Sequence, residues 1–173
     1  DELAITSGAK AAWLLETVQT LTKEGRFPVV WCKYNSTLFW LAQRLAEDLD
    51  IASIVLHGGL TSVGKSDAVQ QFEQGNGQVF LGQVKMAEGF NLVRSSDVIF
   101  YGLDWSPAIN AQAEDRCHRI GQKSASVNIW TAVMRGTIEN YVAKRLAVKA
   151  GDADAAITTD LALLAKAIQE VPE

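Results

Sequence analysis

Residues Asp104 to Gln122 read DWSPAINAQAEDRCHRIGQ. Just before them lies the apolar, β-prone run 98–103, and Pro107 is a residue that suits the first turn of a helix. The spacing predicts a helix from Pro107 to about Ile120. On such a helix Arg116 and Arg119 are three apart, so both guanidiniums leave the same face. Arginine is always ionised and binds oxyanions through a planar fork, so this pair suits phosphate charge. A solvated basic surface with ion pairs to Glu114 and Asp115 is equally compatible with the charges alone.

Outward from this stretch, helical and strand patterns alternate. Ser7 can cap a helix over about 9–24 that Gly25 ends. Val29 to Cys32 is a short apolar strand, and Asn35 or Ser36 can cap a second helix over about 37–49. A strand at Ile51 to Leu56 leads to a glycine-bearing loop and a helix near 65–74, stopped by Gly75. Val79 to Leu81 and Val127 to Val133 supply further strands around the run at 98–103. Thr137 opens a helix to about Lys149, and an amphipathic helix covers about 159–170, with Leu161, Leu164, Ala165 and Ile168 on one stripe. Short apolar strands without alternation read as buried on both faces. Separated by helices, they imply parallel βαβ units. The fold expected is an α/β open, mostly parallel sheet with helices on both faces. Ligands would bind beyond its carboxyl edge, where the segments 33–36, 57–66, 83–91 and 104–106 fall. Residues 1–150 are read as one lobe and 151–173 as a C-terminal helix packed on it, with 151–156 as a hinge.

The 173 residues suit one domain, and 48% apolar with 21% charged residues is ordinary globular composition. No apolar run is long enough to span a membrane, and no secretory signal opens the chain. It begins at Asp1 rather than Met, which fits a piece of something longer. Cys32 and Cys117 form no CxxC pair and read as free thiols of a reducing compartment. Trp13, Trp31, Trp40 and Trp130 are expected in the core. The net charge of −4 runs against the usual basic balance of nucleic-acid binders. Residues 150–173 account for all of it, and 116–135 carry four basic residues and no acid.

The segment 104–122 resembles motif VI of the Swi/Snf-type ATPases of helicase superfamily two, QAxxRxxRxGQ following DxWNP. VVWCKYNSTLFWLAQRL at 29–45 is similar to motif IV. His57-Gly58 with Phe72 matches the family's "HG…F" segment, VFLGQVKMAEGFNL at 79–92 resembles motif V, and TIENYVAKRL at 137–146 resembles the helix after the last strand. All occur in family order. Two departures stand out: DWSP replaces DWNP, and Ala87-Glu88-Gly89-Phe90 is poorer in glycine than the usual motif V.

The resemblance implies a three-layer RecA-like C-terminal helicase lobe, the second motor lobe of an ATP-dependent translocase on double-stranded DNA. Arg116 and Arg119 would be catalytic arginine fingers. Gln112, Gly89 and Asn91 would lie at the nucleotide. Lys33, Asn35, His57, Gly58, Lys85 and Trp105 would face DNA. ATP and Mg²⁺ would be held mainly by a first, N-terminal RecA-like lobe of the same polypeptide. This lobe alone would be inactive, without a metal site of its own, and monomeric. The implied setting is cytoplasmic, or nuclear in a eukaryote.

A competing pattern lies at Gly59 to Ser66, GLTSVGKS, which satisfies the P-loop form GxxxxGK[ST] between a strand and a helix. Read that way, Lys65 would reach a phosphate, Ser66 would hold Mg²⁺ and Asp104 would be the acid of an autonomous NTPase. The other reading of this loop is a helix N-terminus capped by Ser62. A third possibility is a non-catalytic nucleic-acid-binding domain that kept its arginines by descent.

Overall fold

The computed structural model describes residues 8–122, 124–134 and 136–149. Five parallel strands form one sheet in the order β2-β3-β1-β4-β5. These are β1 (Val29–Cys32), β2 (Ser53–Leu56), β3 (Val79–Gln83), β4 (Asp97–Phe100) and β5 (Asn128–Thr131). The helices are α1 (Ala9–Lys23), α2 (Asn35–Leu49), α3 (Ser62–Gln74), α4 (Pro107–Glu114) and α5 (Ile138–Lys149), with a 3₁₀ turn at Val84–Met86.

Successive strand residues point to opposite faces, and this alternation sorts the core into two layers. Val30, Cys32, Leu81 and Ile99 pack with Leu14 and Val18 of α1 and Leu38 and Leu41 of α2. Val29, Trp31, Phe80 and Val98 pack with Phe72 of α3 and Ala113 of α4. In the second layer the Trp31 ring lies over Gly82, its register partner on β3. A Cβ at Gly82 would fall 2.2 Å from Cζ3 of Trp31, so glycine there is a steric requirement. The helix stops follow local chemistry: Gly25 (φ 73°) lies just past α1, and Gly75 (φ 94°) closes α3 in the left-handed region.

Four expectations are corrected. The helix opened by Pro107 ends at Glu114, not near Ile120. Beyond it, Cys117 N–H bonds to the Glu114 carbonyl in a tightened i to i−3 turn, while the Arg116 carbonyl is taken by Leu92 N–H at 2.7 Å. Neither Asn35 nor Ser36 caps α2: the helix starts at Asn35, and Tyr34 occupies the cap position without a side-chain bond. For α3 the cap is Thr61 rather than Ser62, its Oγ1 accepting from Gly64 N–H. Finally, β5 is an edge strand whose four residues are all exposed. Trp130 is therefore not core, at 40% exposure, whereas Trp31 is fully buried and Trp13 and Trp40 pack partly buried against the first layer. The helix expected at 159–170, the hinge and the 151–173 unit lie outside the described residues.

Among the described residues no helix is long and apolar enough to cross a membrane. Cys32 and Cys117 are buried and unpaired with each other.

Candidate nucleotide and nucleic-acid sites

The residues singled out from the sequence fall into two groups at opposite ends of β4. The first gathers at the carboxyl edge of the sheet. Lys33 and Asn35 follow β1, His57 and Gly58 follow β2, Lys85 follows β3 and Trp105 follows β4. Contacts tie these loops together. The Lys33 ammonium lies 5.6 Å from the Trp105 ring centroid, its carbonyl accepts from Gln83 Nε2, and Lys85 stands 3.8 Å from the carboxylate of Asp104. Gly102 is packed so closely on Lys33 that a Cβ would lie 3.2 Å from that of Lys33. The Nδ1 of His57 accepts from Gly59 N–H at 3.2 Å.

Gly58 has room for a side chain, with ordinary contact distances of 3.4 Å and 3.7 Å around the added Cβ. Its glycine character is therefore not forced by packing within the lobe. Behind this edge, between α1 and α5, opens a cavity of about 320 Å³. Lys10 joins those two helices by an ion pair to Glu139, and its ammonium lies 4.7 Å from the Tyr101 ring.

The second group is built where the chain between β3 and β4 meets the end of α4. α4 leaves the carboxyl end of β4 and runs back, so its far end lies near the start of that strand. Gln122 marks the place: its Nε2 donates to the Ser95 carbonyl at 2.5 Å, two residues before β4. Arg116 is 8% exposed. It donates from Nε to the Gln112 carbonyl and from Nη1 to the Phe90 carbonyl, each at 3.0 Å. Burial, and then the neighbouring Arg119 charge, pull its pKa down, although a guanidinium stays ionised at neutral pH.

Arg119 differs. It is exposed, and its Nε donates to the Asp115 carbonyl at 3.0 Å. The two arginines thus sit on the turns after α4 and do not share a helix face, contrary to the spacing argument. Neither makes an ion pair with Glu114 or Asp115 among the described residues. Next to them Gly89 takes φ +78° with open space where a Cβ would be, so a ligand could approach its backbone, and Asn91 is exposed. Gln112 is half-buried, and its carbonyl serves Arg116.

The stretch 59–66 is shaped as a helix start. Gly64 N–H is bonded to Thr61 Oγ1 at 3.1 Å, and Lys65 N–H to the Thr61 carbonyl at 2.9 Å. Two amides that a phosphate cradle would need are therefore spent inside α3. Asp104 is buried beside Asn110, which bonds its backbone on both sides, and its carboxylate accepts from Ser106 N–H. No group of three or more His, Cys, Asp or Glu among the described residues could hold a metal ion.

Residues 9–121 match the helicase conserved C-terminal domain family. The chain belongs to that family, and its fold is that of a RecA-like lobe. The lobe is 31% identical over 144 residues to the chromatin-remodeling ATPase INO80 of Sclerotinia sclerotiorum, which is 82% of this chain but 8% of that protein. Its fold is similar to the C-terminal part of the Fun30 ATPase domain, with a TM-score of 0.75 and 23% identity over 82% of this chain and 46% of that one. It also resembles the Sulfolobus solfataricus SWI2/SNF2 ATPase core in complex with dsDNA, with a TM-score of 0.68 and 23% identity over 80% of this chain and 29% of that one. The lobe thus spans a small part of the curated relative's length.

Sequence reasoning passed over Tyr34, Phe39 and Tyr141, which stand at the carboxyl edge with the first group. The signal was present in aromatic residues immediately following a strand, in KYNSTLFW, but helical spacing alone assigns such residues to packing.

Proposed function

We propose that this lobe is the second half of an ATP-dependent motor that moves along duplex DNA. Its arginines would complete a nucleotide site whose phosphate and Mg²⁺ ligands lie on a first RecA-like lobe of the same polypeptide. The observation that carries this reading is the contrast between the two arginines. Arg116 is tied to carbonyls of its own lobe, and beside it Arg119 is exposed and, among the described residues, held at one nitrogen only. A charge held at a lobe surface on a stiff support is what a transferring phosphoryl group needs from a partner domain.

In this reading Arg119 meets the charge that develops on the phosphoryl oxygens when the two lobes close. Arg116 holds the Phe90 loop and the turn after α4 in register, and it is near enough to add its own field. Gly89 and Asn91 flank the nucleotide. ATP supplies the phosphoryl group, and Mg²⁺ would neutralise its oxygens from the other lobe.

DNA would lie across the carboxyl edge, where Lys33 and Lys85 offer charge, Asn35 and His57 offer donors, and Trp105 offers a ring. Such contacts position a backbone without reading its sequence. The likeness to a core solved with dsDNA supports this placement. An autonomous P-loop enzyme is disfavoured by the amides already used within α3.

The test is ATP hydrolysis, with and without duplex DNA, by the 173-residue chain and by a protein carrying both lobes. The chain alone should be silent. The two-lobe protein should be active with DNA and lose that activity in Arg119→Ala. Hydrolysis by the chain alone that vanishes in Lys65→Ala would overturn the proposal.

A further inference from the structure

Tyr34 and Trp105 stand at the carboxyl edge with about half of their surface in solvent, at 51% and 48% exposure. Cations are interleaved with the rings. The Lys33 ammonium lies 5.4 Å from the Tyr34 centroid and 5.6 Å from that of Trp105. Trp105 meets Tyr141 edge to face at 6.5 Å, and the guanidinium of Arg145 lies 5.9 Å from the Tyr141 centroid. The order along the surface is therefore Tyr34, Lys33, Trp105, Tyr141, Arg145. Phe39, itself 50% exposed, lies on the next turns of α2 and contacts the His57 ring at 5.2 Å.

This row does more than a duplex backbone asks for. Phosphates in a duplex are met by ammonium groups, amides and hydroxyls, and the bases are closed within the stack. A single strand presents the opposite pattern, with base faces open and a phosphate between each pair. Aromatic rings with cations beside them match that pattern, because every base has a face to stack and Arg or Lys can serve both ring and phosphate.

The cavity behind the row strengthens the match. Lys33, Tyr34 and Trp105 line it together with Tyr101, Met134 and Val142. Its volume of about 320 Å³ is in the range of small-molecule sites, and it opens where the connections from β1 and β4 diverge to opposite sides of the sheet. Its carboxylate, Glu139, is already neutralised by Lys10. The acid nearest Lys85, Asp104, is buried beneath the surface.

We propose that the row from Tyr34 through Trp105 to Arg145 is a stacking platform for unpaired DNA bases next to a duplex, with the cavity receiving one base turned out of the strand. The inference rests on the DNA-facing reading of this edge and narrows it, since the preferred ligand becomes a duplex with a single-stranded extension.

The experiment is fluorescence anisotropy with the full 173-residue chain and three labelled probes: a blunt 20-base-pair duplex, the same duplex with a ten-thymidine overhang, and the thymidine strand alone. Stacking of one or two bases predicts about tenfold or more tighter binding of the overhang probe than of the blunt one. Tyr34→Ala with Tyr141→Ala should erase that advantage, while Tyr34→Phe with Tyr141→Phe should keep it. Near-ultraviolet circular dichroism shows that each variant is folded. Equal affinity for blunt and overhang probes overturns the platform and leaves the duplex reading standing. An overhang advantage that survives the double alanine variant also overturns it. Binding of overhang and single strand without blunt duplex supports the platform and sinks the duplex reading. No binding of any probe sinks both.

Discussion

The guanidinium of Arg116 donates from Nη1 to the carbonyl oxygen of Phe90 at 3.0 Å, joining residues 26 positions apart. Together with the bond from Leu92 N–H to the Arg116 carbonyl, it stitches the loop before β4 to the turn after α4. The two arginines should therefore fail differently. Arg116→Ala leaves the Phe90 carbonyl without its donor and should lower stability by about 1–3 kcal/mol. Arg119→Ala should leave the melting temperature within error and cut DNA-stimulated ATPase of the two-lobe protein by roughly a thousandfold. Calorimetry and steady-state hydrolysis on both variants check this. Equal thermal losses in the two variants would contradict the division of labour.

Lys65 and Thr61 make a second contrast. Thr61 Oγ1 satisfies an amide at the start of α3, so Thr61→Ala should cost about 1 kcal/mol. Lys65→Ala should fall within about 0.5 kcal/mol of the parent, as surface substitutions do, and should spare ATPase activity in the two-lobe protein. Urea unfolding with a hydrolysis assay separates the effects. A decisive loss of activity in Lys65→Ala would restore the P-loop reading.

Gly82→Ala adds one methyl to a place where the Trp31 ring already stands at 2.2 Å and 2.7 Å. Trp31 is fully buried in the second core layer, packed with Phe72 and Phe80. The cost should reach at least about 3 kcal/mol, the upper end for overpacking. A denaturant midpoint shows it, and a double variant with Trp31→Leu should recover part of the loss.

Alkaline pH should destabilise the lobe. Burial pushes the Cys117 thiol from 9.0 up to about 12, raises Tyr101 to about 12 as well, and raises Cys32 in the same direction. A raised folded pKa stabilises fully below the unfolded value, and that contribution is lost as pH climbs towards the folded one. The melting temperature should thus be flat near pH 8 and fall from about pH 9 upwards. Native-state alkylation of both thiols should be slow at pH 8 and rapid in denaturant. Fast labelling of the folded lobe would show that the thiols are not shut away.

Much of the architecture was legible in the chain because its determinants are local. Pro107 marks the start of α4, and Gly25 and Gly75 mark stops where the backbone turns left-handed. What escaped depends on contacts between distant residues. The end of α4 at Glu114 goes with the bond from Leu92 to Arg116, 24 positions away, which no periodicity reveals. Among the described residues β5 has a neighbouring strand on one side only, and an apolar run looks the same at an edge as in the middle, so the exposure of Trp130 was not visible in the sequence. The cap of α3 went to Thr61 over Ser62 because two adjacent hydroxyls are chemically alike and differ by one step of register. Of the candidate site, the motifs supplied the residues proposed, and spacing placed both arginines on one face because it assumed a helix that ends at Glu114.

The segment from Val84 to Leu92 has a consequence of its own. Val84, Ala87 and Leu92 are buried, Lys85 stands at the carboxyl edge beside Asp104, and the Phe90 carbonyl is held by Arg116. These nine residues link the carboxyl edge at Lys85 to the Phe90 carbonyl that Arg116 holds. Thermodynamic reciprocity then applies. If a ligand at Lys85 alters how readily Arg116 lets go of Phe90, a ligand that competes for Arg116 must alter the grip at Lys85 by the same factor. The affinity for one, measured at saturating and at zero concentration of the other, would give that coupling free energy as a single number.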